Sequence, residues 1–273
     1  MTLIAQITDL HIRPRGLACY RVSETNMLAR RAIEALNAFD PQPDAIVVTG
    51  DLGDTPDERE YAGVQRLLSR LKAPVYVLPG NHDSVKLMRE SLSGVGPIHE
   101  GENGKMHYAV DIGDVRLVAL DSAVPGAPHG ELGEAQIAWL DRTLAESDRP
   151  TLVALHHPPA LTGIAHMDRI GLKDAAAFAG VISRHSHVAR VMCGHIHRTI
   201  IAAVGRTVMT LAPSTGHQVH LDILDKGEGE FIMEPPAFFM HHHTRDSGVV
   251  SHLAYVEKFA GPYPFFADEG VSF

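Results

Sequence analysis

The stretch Val75-Tyr76-Val77-Leu78-Pro79-Gly80-Asn81-His82-Asp83 decides the fold of this chain. It begins as an apolar, strand-like run and breaks at a proline and a glycine, after which an amide, an imidazole and a carboxylate follow in succession. Ligands of open α/β sheets bind at the carboxyl ends of strands, where these polar groups would lie. Taken alone, Pro-Gly-Asn is also typical of a surface turn, so the stretch leaves both interpretations open.

Four other apolar runs end in polar side chains in the same way. The residues that follow these runs are Asp9 and His11, Asp51, His156, and His195 and His197. Asp9 and His11 are two residues apart, so both side chains point to the same side of an extended backbone. Together with Asn81 and His82, these residues place potential ligands at five strand ends.

Helical periodicity separates the strand-like runs. Apolar residues recur with helical spacing over Thr25–Phe39, Pro56–Leu71, Gly133–Leu144 and Asp174–Ser183. Strands that alternate with helices over so much of the chain indicate βαβ units. From Thr199 onward the runs are shorter and turns separate them, which predicts a second, more antiparallel sheet packed beside the first.

The donors at the five strand ends are carboxylates, imidazoles and an amide, without sulfur. Such a set suits iron, manganese, zinc or cobalt better than calcium or a thiolate zinc site. It is large enough for two ions if one carboxylate bridges them, and Asp51 is the natural bridge because it stands alone on its strand. Two ions about 3.5–4 Å apart can activate a bridging water and clamp phosphoryl oxygens, so hydrolysis of a phosphate ester fits best.

His82 directly follows the expected ligand Asn81, so we expect it to lean over the site without binding metal. There it could hydrogen-bond a phosphoryl oxygen or protonate the leaving alkoxide, and Asp83 could orient it. A single histidine is more often a structural residue. Its place inside a cluster of metal-type ligands favours the catalytic interpretation.

The ordered motifs resemble those of the calcineurin-like metallophosphoesterase superfamily, and the match runs from the first strand to about Leu211. The residues that carry it are Asp9-x-His11, Gly50-Asp51, Gly80-Asn81-His82-Asp83, His156 and Gly194-His195-x-His197. The resemblance implies an α/β fold, an αββα sandwich of two mixed β-sheets flanked by helices. It also implies two metal sites that share Asp51. Asp9, His11, Asp51 and His197 would hold one ion, and Asp51, Asn81, His156 and His195 the other.

A finer resemblance is to the branch of class III cyclic nucleotide phosphodiesterases and bacterial glycerophosphodiesterases. It rests on Arg13 to Tyr20 with Asn26, on Ser214 to Gln218 and on Pro236 to His241. The resemblance implies a metal-dependent phosphoric diester hydrolase in which a metal-bridging hydroxide attacks 3′,5′-cyclic nucleotides or glycerophosphodiesters. It further implies that His217 approaches the substrate and that Asp54 lies near the metal mouth. Homo-oligomers, dimers or larger, would form through the segment after the last motif.

Two alternatives stay open. The same site could serve a broad-specificity phosphomonoesterase or a nuclease, and the extra charge of a monoester would then call for Arg13, Arg15, Arg21 or Arg198 near the mouth. The second alternative is a non-catalytic interaction module on the same fold, with its aromatic tail as the binding face. An empty metal site would support it.

The chain of 273 residues is 45% hydrophobic and 21% charged, which is enough for a large core. Residues 1–257 are expected to form the catalytic domain, with residues 212–235 as an oligomerisation excursion and residues 258–273 as an aromatic C-terminal tail. Seven of the nine phenylalanines lie beyond residue 230, a concentration that fits either core packing or an interface. The net charge of −9 argues against binding to duplex nucleic acid.

The first residues form no leader-like segment, and no apolar run is long enough to span a bilayer, so we expect a cytoplasmic protein without a membrane partner. Cys19 and Cys193 are far apart and are expected to be buried, unreactive thiols. His241-His242-His243 resembles a metal-binding tag, but consecutive side chains on a strand alternate faces and cannot converge on one ion. A structural or solvated role is expected for them.

Overall fold

The computed structural model describes residues 1–96, 98, 101, 104–224 and 229–265. Within them the helices are α1 (Thr25–Ala38), α2 (Glu58–Leu68), α3 (Val85–Ser91), α4 (Gly133–Ala145), α5 (Ala165–Asp168) and α6 (Ala175–Arg184). The first strands are β1 (Thr2–Ile7), β2 (Ala45–Thr49), β3 (Val75–Leu78), β4 (Tyr108–Ile112), β5 (Val115–Ala119), β6 (Thr151–Ala154) and β7 (Val188–Cys193). The remaining strands are β8 (Ile200–Val204), β9 (Thr207–Leu211), β10 (Gln218–Val219), β11 (Phe231–Ile232), β12 (Ala237–Thr244) and β13 (Gly248–Tyr255).

Two mixed sheets form the centre of the molecule. The first has the strand order β13-β12-β1-β2-β3, and the second has the order β4-β5-β6-β7-β9-β8. In the first sheet β1, β2 and β3 are parallel, while β12 and β13 run antiparallel to their neighbours. In the second, β5, β6, β7 and β9 are parallel and both edge strands are antiparallel. β10 and β11 form a small separate ribbon.

The apolar strands are continuous because both faces of each sheet are covered. On β1, Leu3, Ala5 and Ile7 pack with α1, α2 and α3, whereas Ile4 belongs to the core between the two sheets. The opposite face of the second sheet packs on α4 and α6 through residues such as Leu140 and Phe178. This arrangement is the predicted αββα sandwich, and the prediction is confirmed.

The chain after Thr199 departs from the expectation. Apart from the small antiparallel ribbon of β10 and β11, its described strands join the two large sheets: β8 and β9 extend the second sheet, and β12 and β13 extend the first. β12 lies antiparallel to β1, with Leu3 opposite His242. The predicted strands are present, but the predicted sheet is wrong. Local sequence patterns carry no information about which distant strands pair.

Most predicted helices are present with shifted ends. α2 begins at Glu58 and not at Pro56, because the carboxylate of Asp57 accepts a hydrogen bond from Arg59 N and caps the helix. The short helices α3 and α5 were not expected. α3 starts where Ser84 Oγ accepts from Leu87 N. This cap lies directly after Asp83 and fixes the end of the stretch from Val75 to Asp83.

The register of the parallel strands brings their carboxyl ends to one edge. Ile7 pairs with Val48, and Thr49 pairs with Leu78, so β1, β2 and β3 end at the same level. Gln6 Nε2 donates to the carbonyl of Cys193 at 3.0 Å and thereby ties β1 of the first sheet to β7 of the second. The polar residues that follow both sets of strands therefore face one another.

The remaining sequence expectations concern individual residues. Cys19 and Cys193 are free and buried, as expected. In the histidine triplet, His241 and His243 are buried while His242 is half-buried, in keeping with alternation along β12. Residues 225–228 of the expected excursion and 266–273 of the expected tail lie outside the described residues. No helix in the described ranges is long and apolar enough to cross a membrane.

Candidate metal centre

The backbone turns sharply immediately after the strands. Asp9, His11, Asp51, His195 and His197 all have positive φ, at 52°, 43°, 52°, 73° and 51°. Non-glycine residues rarely adopt this conformation, and where they do the strain is usually held by a functional site. Among the described residues only Tyr20 and Arg21 share it without belonging to the expected ligands. The sharp turns direct the expected ligands inward.

The first donor group contains Asp9, His11, Asp51 and His197, all buried, with ligand atoms within 4.8 Å of one another. His11 Nε2 lies 3.1 Å from His197 Nε2, and His197 Nε2 lies 3.1 Å from Asp9 Oδ1. Asp51 Oδ2 is 3.6 Å from His11 Nε2. Two imidazole nitrogens and two carboxylates therefore converge on one small volume.

Hydrogen bonds on the far sides of the rings fix which nitrogens face that volume. His11 Nδ1 lies 3.1 Å from Asp54 Oδ1, and His197 Nδ1 lies 3.0 Å from the carbonyl oxygen of His217. Each Nδ1 faces an acceptor and must donate, so each neutral ring presents the lone pair of Nε2. Two lone pairs 3.1 Å apart repel each other unless a cation or a proton lies between them. This geometry fits a metal ion.

The second donor group contains Asp51, Asn81, His156 and His195. His156 Nε2 lies 3.3 Å from Asp51 Oδ2 and 3.2 Å from Asn81 Oδ1. His156 Nδ1 donates to the carbonyl of Thr49 at 2.8 Å, which again leaves Nε2 as the coordinating atom. His195 Nε2 is buried and has no hydrogen-bond partner in the described part of the chain. A buried ring nitrogen of this kind is suited to coordination.

His157 was not expected near the centre, although it lies close to His156 and His195. Both of its ring nitrogens have partners: Nδ1 accepts from Ser122 Oγ at 2.8 Å, and Nε2 donates to the carbonyl of Pro128 at 3.2 Å. Burial holds the pKa of His157 well below its usual range, and the neighbouring histidines add to this effect. It therefore supports the second group from behind without offering a free nitrogen.

Asp51 stands between the two groups. Its Oδ2 is 3.6 Å from His11 Nε2 of the first group and 3.3 Å from His156 Nε2 of the second. Its Oδ1 accepts a hydrogen bond from the backbone N–H of His82 at 3.0 Å. The contacts are those expected of a carboxylate that can serve both groups.

Two glycines make room for the ligands. A Cβ at Gly80 would lie 2.1 Å from Asp51 Oδ1, and a Cβ at Gly50 would lie 2.4 Å from His156 Nδ1. Gly50 also has φ of +97°, which side-chain-bearing residues rarely adopt. The motif glycines are therefore required by close packing against the donor groups.

The electrostatics of the centre keep its carboxylates charged. Burial raises the pKa of Asp9, but the neighbouring His197 and His156 outweigh burial and lower this pKa to about 2. Burial also raises the pKa of Asp51, and here His156 is the main group that lowers it well below its usual range. Burial lowers the pKa of His156, and Asp51 then raises it to about 9. Burial lowers the pKa of His195 to about 3, so that ring stays neutral. Buried anionic carboxylates beside imidazoles form a strong cation site, and His156 must give up its proton for Nε2 to bind an ion.

His82 lies beside the centre, with its ring in edge contact with His11 at 4.8 Å between centroids. Its Nδ1 donates to the carbonyl oxygen of Asp54 at 2.8 Å. Burial lowers the pKa of His82, but Asp51, Asp54 and Asp83 together raise it above its ordinary value. The orientation leaves Nε2 as the atom that can approach a substrate.

Asp83 was expected to orient His82, but its carboxylate forms no hydrogen bond with that ring among the described residues. The carboxylate of Asp83 accepts from the backbone N–H groups of Leu52, Gly53 and Gly80 and from Tyr61 Oη at 2.9 Å. Burial raises the pKa of Asp83 to about 6, and the charge of Asp51 contributes. Asp83 therefore holds the loops after β2 and β3 together, and the group that orients His82 is the Asp54 carbonyl.

Asp54 and His217 lie on the side of the first donor group. Asp54 Oδ2 accepts from Arg13 Nη1 at 2.8 Å, and Asp54 Oδ1 also accepts from Cys19 Sγ at 3.3 Å. His217 is buried, with its ring 4.9 Å from that of His197 and 5.2 Å from that of Tyr20. Burial lowers the pKa of His217 to about 3, and its Nδ1 has no hydrogen-bond partner among the described residues.

A cavity of about 710 Å³ borders the second donor group, and Asn81 and His82 line it. Its opposite wall comes from a distant segment, Ala123 to Gly126, which carries Val124 and Pro125. Lys105 Nζ donates to the carbonyl oxygens of Asp121 and Ala123 and holds that wall in place. Small-ligand pockets typically measure about 300–1,000 Å³. Nothing in the local pattern of residues 121–126 indicated that they lie at the site.

The fold and the site together define a phosphoesterase with a dimetal-type His/Asp cluster. A sequence model of the calcineurin-like phosphoesterase family matches residues 2–199, and the chain belongs to that family. The predicted class is confirmed.

The chain is similar to two phosphodiesterases and to a phosphatase of known structure. It is 31% identical to the probable glycerophosphodiester phosphodiesterase GpdQ of Arcobacter nitrofigilis over 270 residues, which cover 98% of each protein. It is 33% identical over 216 residues to the 3′,5′-cyclic adenosine monophosphate phosphodiesterase CpdA of Escherichia coli K12, with 78% of this chain and 75% of that protein covered. The crystal structure of a dimetal phosphatase from Danio rerio matches 94% of this chain and 99% of its own, with a TM-score of 0.62 and 15% identity. The structural match supports the fold.

Proposed function

We propose that this protein hydrolyses small phosphate diesters, either 3′,5′-cyclic nucleotides or glycerophosphodiesters, with two metal ions. The observation that carries the proposal is the approach of His11 Nε2 and His197 Nε2 to 3.1 Å, with the Nδ1 of each ring already committed as a donor. The ligands of one ion would be Asp9, His11, Asp51 and His197, and those of the other Asp51, Asn81, His156 and His195. Nitrogen and oxygen donors of this kind suit iron, manganese, zinc or cobalt.

When bound, two such ions polarise phosphoryl oxygens and activate water at neutral pH. The protein's own residues supply the remaining chemistry. Asp51 fixes the spacing of the two donor groups, and the Asp54 carbonyl sets the ring of His82 so that Nε2 faces the site. Because nearby carboxylates raise the pKa of His82, it can donate a proton to the leaving alkoxide or a hydrogen bond to a phosphoryl oxygen.

Asp83 and Asp54 act through other residues in this proposal. Asp83 keeps the loop that carries Asn81 and His82 against the loop after β2, and it raises the pKa of His82 by its charge. Asp54 already has three hydrogen-bonding partners on its carboxylate, so we place it behind His11 as a positioning residue. His217 would approach the substrate on the side of His197.

The charges around the centre favour a diester over a monoester. A monoester carries an additional negative charge that a free arginine would have to meet. Arg13 is held by Asp54 and Glu60, and Arg198 is held by Glu234 and by the carbonyl of Val219. Two of the four arginines considered for a monoester are therefore committed elsewhere. The relatives point the same way, since both named enzymes act on diesters.

The segment 212–235 supports a homo-oligomer. Its described residues expose several large apolar side chains, namely Leu221, Ile223, Leu224, Ile232 and Met233. Large exposed apolar patches on soluble proteins commonly mark sites of interaction with other proteins. We propose that a second copy of the chain covers them. Light scattering should show an assembly for the wild type and a smaller species for Ile223→Glu, and a wild-type monomer would refute the proposal.

The central test uses metal-stripped protein reconstituted with manganese, iron, zinc or cobalt. We expect hydrolysis of bis(p-nitrophenyl) phosphate by the reconstituted protein, and loss of both metal and activity in Asp51→Ala. Asp111→Ala, which removes an exposed carboxylate on β4, should behave as the wild type. Full turnover without metal would refute the proposal, and a wild-type protein that takes up no metal would favour the interaction-module alternative.

A substrate screen separates the remaining possibilities. Rates on cyclic AMP, glycerophosphocholine and glycerophosphoethanolamine are compared with the rate on p-nitrophenyl phosphate at equal metal loading. A diesterase should prefer at least one of the first three. Preference for the monoester would support the phosphomonoesterase alternative instead.

A further inference from the structure

A strongly basic groove lies between α1 and α2, outside the donor groups of the metal centre. Its cavity measures about 490 Å³. The charged side chains that line it are Arg13, Arg15, Arg30, Arg66 and Arg70, and none of the described lining residues is acidic. The chain as a whole carries a net charge of −9, so the groove reverses the sign of the surrounding protein.

Helix-end electrostatics do not account for this cluster. Arg66 lies in the last turn of α2, where a cation interacts favourably with the helix dipole. Arg30, however, lies within α1, and Arg13 and Arg15 lie in the loop after β1. Three separate segments of the chain thus bring guanidinium groups to one cavity, which concentrates like charge at a cost in repulsion.

Most of this charge is not compensated by the protein. Arg13 pairs with Asp54 and Glu60, and Arg30 Nε lies 3.7 Å from Glu34 at the exposed surface. Arg15, Arg66 and Arg70 form no ion pair with any described carboxylate. Arg13 Nε is buried and has no hydrogen-bond partner among the described residues. Three guanidinium groups therefore remain for a ligand.

The inner wall of the groove is rigidly built. Asn26 Oδ1 accepts from Arg13 N at 2.9 Å, and Asn26 Nδ2 donates to Arg13 O at 2.9 Å. The side chain of Asn26 on α1 thus binds both the N–H and the carbonyl of Arg13 and fixes the loop after β1. On α2, a Cβ at Gly63 would lie 3.0 Å from Ile12 Cγ2, which shows how closely that helix approaches the same loop. A preorganised wall lowers the entropic cost of binding.

We propose that this groove is a second binding site, for a small anion that carries a chain of two or more phosphates. Planar guanidinium groups bind phosphate oxygens in pairs, and three uncompensated arginines match the charge of a diphosphate or triphosphate better than that of one phosphate. The described lining contains no aromatic ring on which a base could stack, so the phosphates themselves are recognised. The site adjoins the metal centre through the contact of Arg13 with Asp54, yet shares none of its donors.

Calorimetric titration of the metal-loaded protein with inorganic triphosphate tests the proposal. The double variant Arg66→Gln/Arg70→Gln should bind at least about tenfold more weakly than the wild type, because charge-assisted hydrogen bonds are lost. Arg142→Gln/Arg206→Gln removes the same net charge at exposed positions on α4 and in the β8–β9 turn, and it should bind as the wild type does. Heat from chelation of the active-site metals is common to all three proteins and cancels in the comparison.

Two further arms identify the ligand chemistry. Affinity should rise from phosphate to pyrophosphate to triphosphate, and it should fall as sodium chloride is added. ATP and inorganic triphosphate should bind with similar affinity if only the phosphate chain is recognised, whereas a strong preference for ATP would contradict phosphate-only recognition. Equal binding by the wild type and the Arg66/Arg70 variant would overturn the proposal. An equal loss in the Arg142/Arg206 control would also overturn it, because net charge alone would then explain the effect.

Discussion

Asp54 Oδ1 lies 3.1 Å from His11 Nδ1, while Asp54 Oδ2 accepts from Arg13 Nη1 at 2.8 Å. The carboxylate thus fixes the ring of His11 from the side opposite the donor group and keeps its Nε2 unprotonated. Carboxylates behind metal-binding histidines are a recurrent device that orients the ring and raises its basicity. Asp54 therefore connects the loop after β2 to the first donor group without entering it.

Removal of this support should weaken one metal site selectively. In Asp54→Ala, His11 can turn or change tautomer, and we expect metal affinity at the first site to fall roughly 10–100-fold. Cobalt titration followed by visible absorption measures the occupancy of each site in turn. Asp111→Ala, which removes an exposed carboxylate, is the matched control. Unchanged cobalt affinity in Asp54→Ala would mean that Asp54 does not position His11.

Gly80→Ala tests the packing of the strand-end loop. The added Cβ would lie 2.1 Å from Asp51 Oδ1 and 2.6 Å from Asp51 N, so the Asp51 carboxylate must shift. We expect the variant to fold but to lose most bound metal and at least about 100-fold in diesterase rate, as when a reacting group is misplaced by an ångström. Metal analysis and circular dichroism on the same sample separate the two effects.

Gly180→Ala is the corresponding control. Gly180 lies in α6, and a Cβ there meets nothing within 4 Å. The exchange should leave activity unchanged and stabilise the helix by about 0.5–1 kcal/mol. If Gly80→Ala keeps its metal and its rate, the close packing against Asp51 is not a functional requirement.

The sequence allowed the donor residues to be predicted because they directly follow apolar strands. Asp9, Asp51 and His156 each come immediately or nearly so after an apolar run, and parallel strands of a sandwich bring such positions together. The spacing therefore predicted these residues as metal-type donors, whereas their division into two groups was implied by the resemblance to the family. The same reasoning could not identify the partner of His82, because the Asp54 carbonyl reaches it through a backbone atom whose position depends on the loop.

Features built from distant segments were beyond prediction. Lys105 supports the cavity wall through the carbonyls of residues 121 and 123, and the arginine groove unites the loop after β1 with two helices. The pairing of β12 with β1 likewise joins residues more than 230 positions apart. Hydrophobic periodicity records which face of an element is buried but not which element covers it.

His82→Ala distinguishes general-acid catalysis from simple electrostatic stabilisation. A diester with a poor alkoxide leaving group needs a proton donor, so we expect its hydrolysis to slow by about 10²–10⁴-fold. Bis(p-nitrophenyl) phosphate has a good leaving group and should be affected much less. His252→Ala, at an exposed position on β13, is the control. Equal losses on both substrates at unchanged metal content would contradict the general-acid role and favour electrostatic stabilisation of the phosphoryl oxygen.

His241 makes the stability of the fold depend on pH. It is buried between the sheets, where Nδ1 accepts from Ser251 Oγ at 2.8 Å and Nε2 donates to Gln6 Oε1 at 3.1 Å. Gln6 extends this hydrogen-bond network, because its Nε2 donates to Thr49 Oγ1 and to the carbonyl of Cys193. Burial and the charge of Arg190 lower the pKa of His241 to about 3, so the folded protein holds this ring neutral.

The consequence is a loss of stability in mild acid. Below its ordinary pKa of about 6.5 the ring takes up a proton in the unfolded chain but not in the folded one, so the free energy of unfolding falls as pH decreases towards 3. His241→Gln abolishes this contribution, and between pH 7.5 and pH 4.5 it should lose about 2–3 kcal/mol less than the wild type. Urea denaturation at each pH measures the difference, and contributions from other histidines cancel in the comparison. His252→Gln, at an exposed position, should follow the wild type; if His241→Gln follows it as well, His241 is not held neutral by the fold.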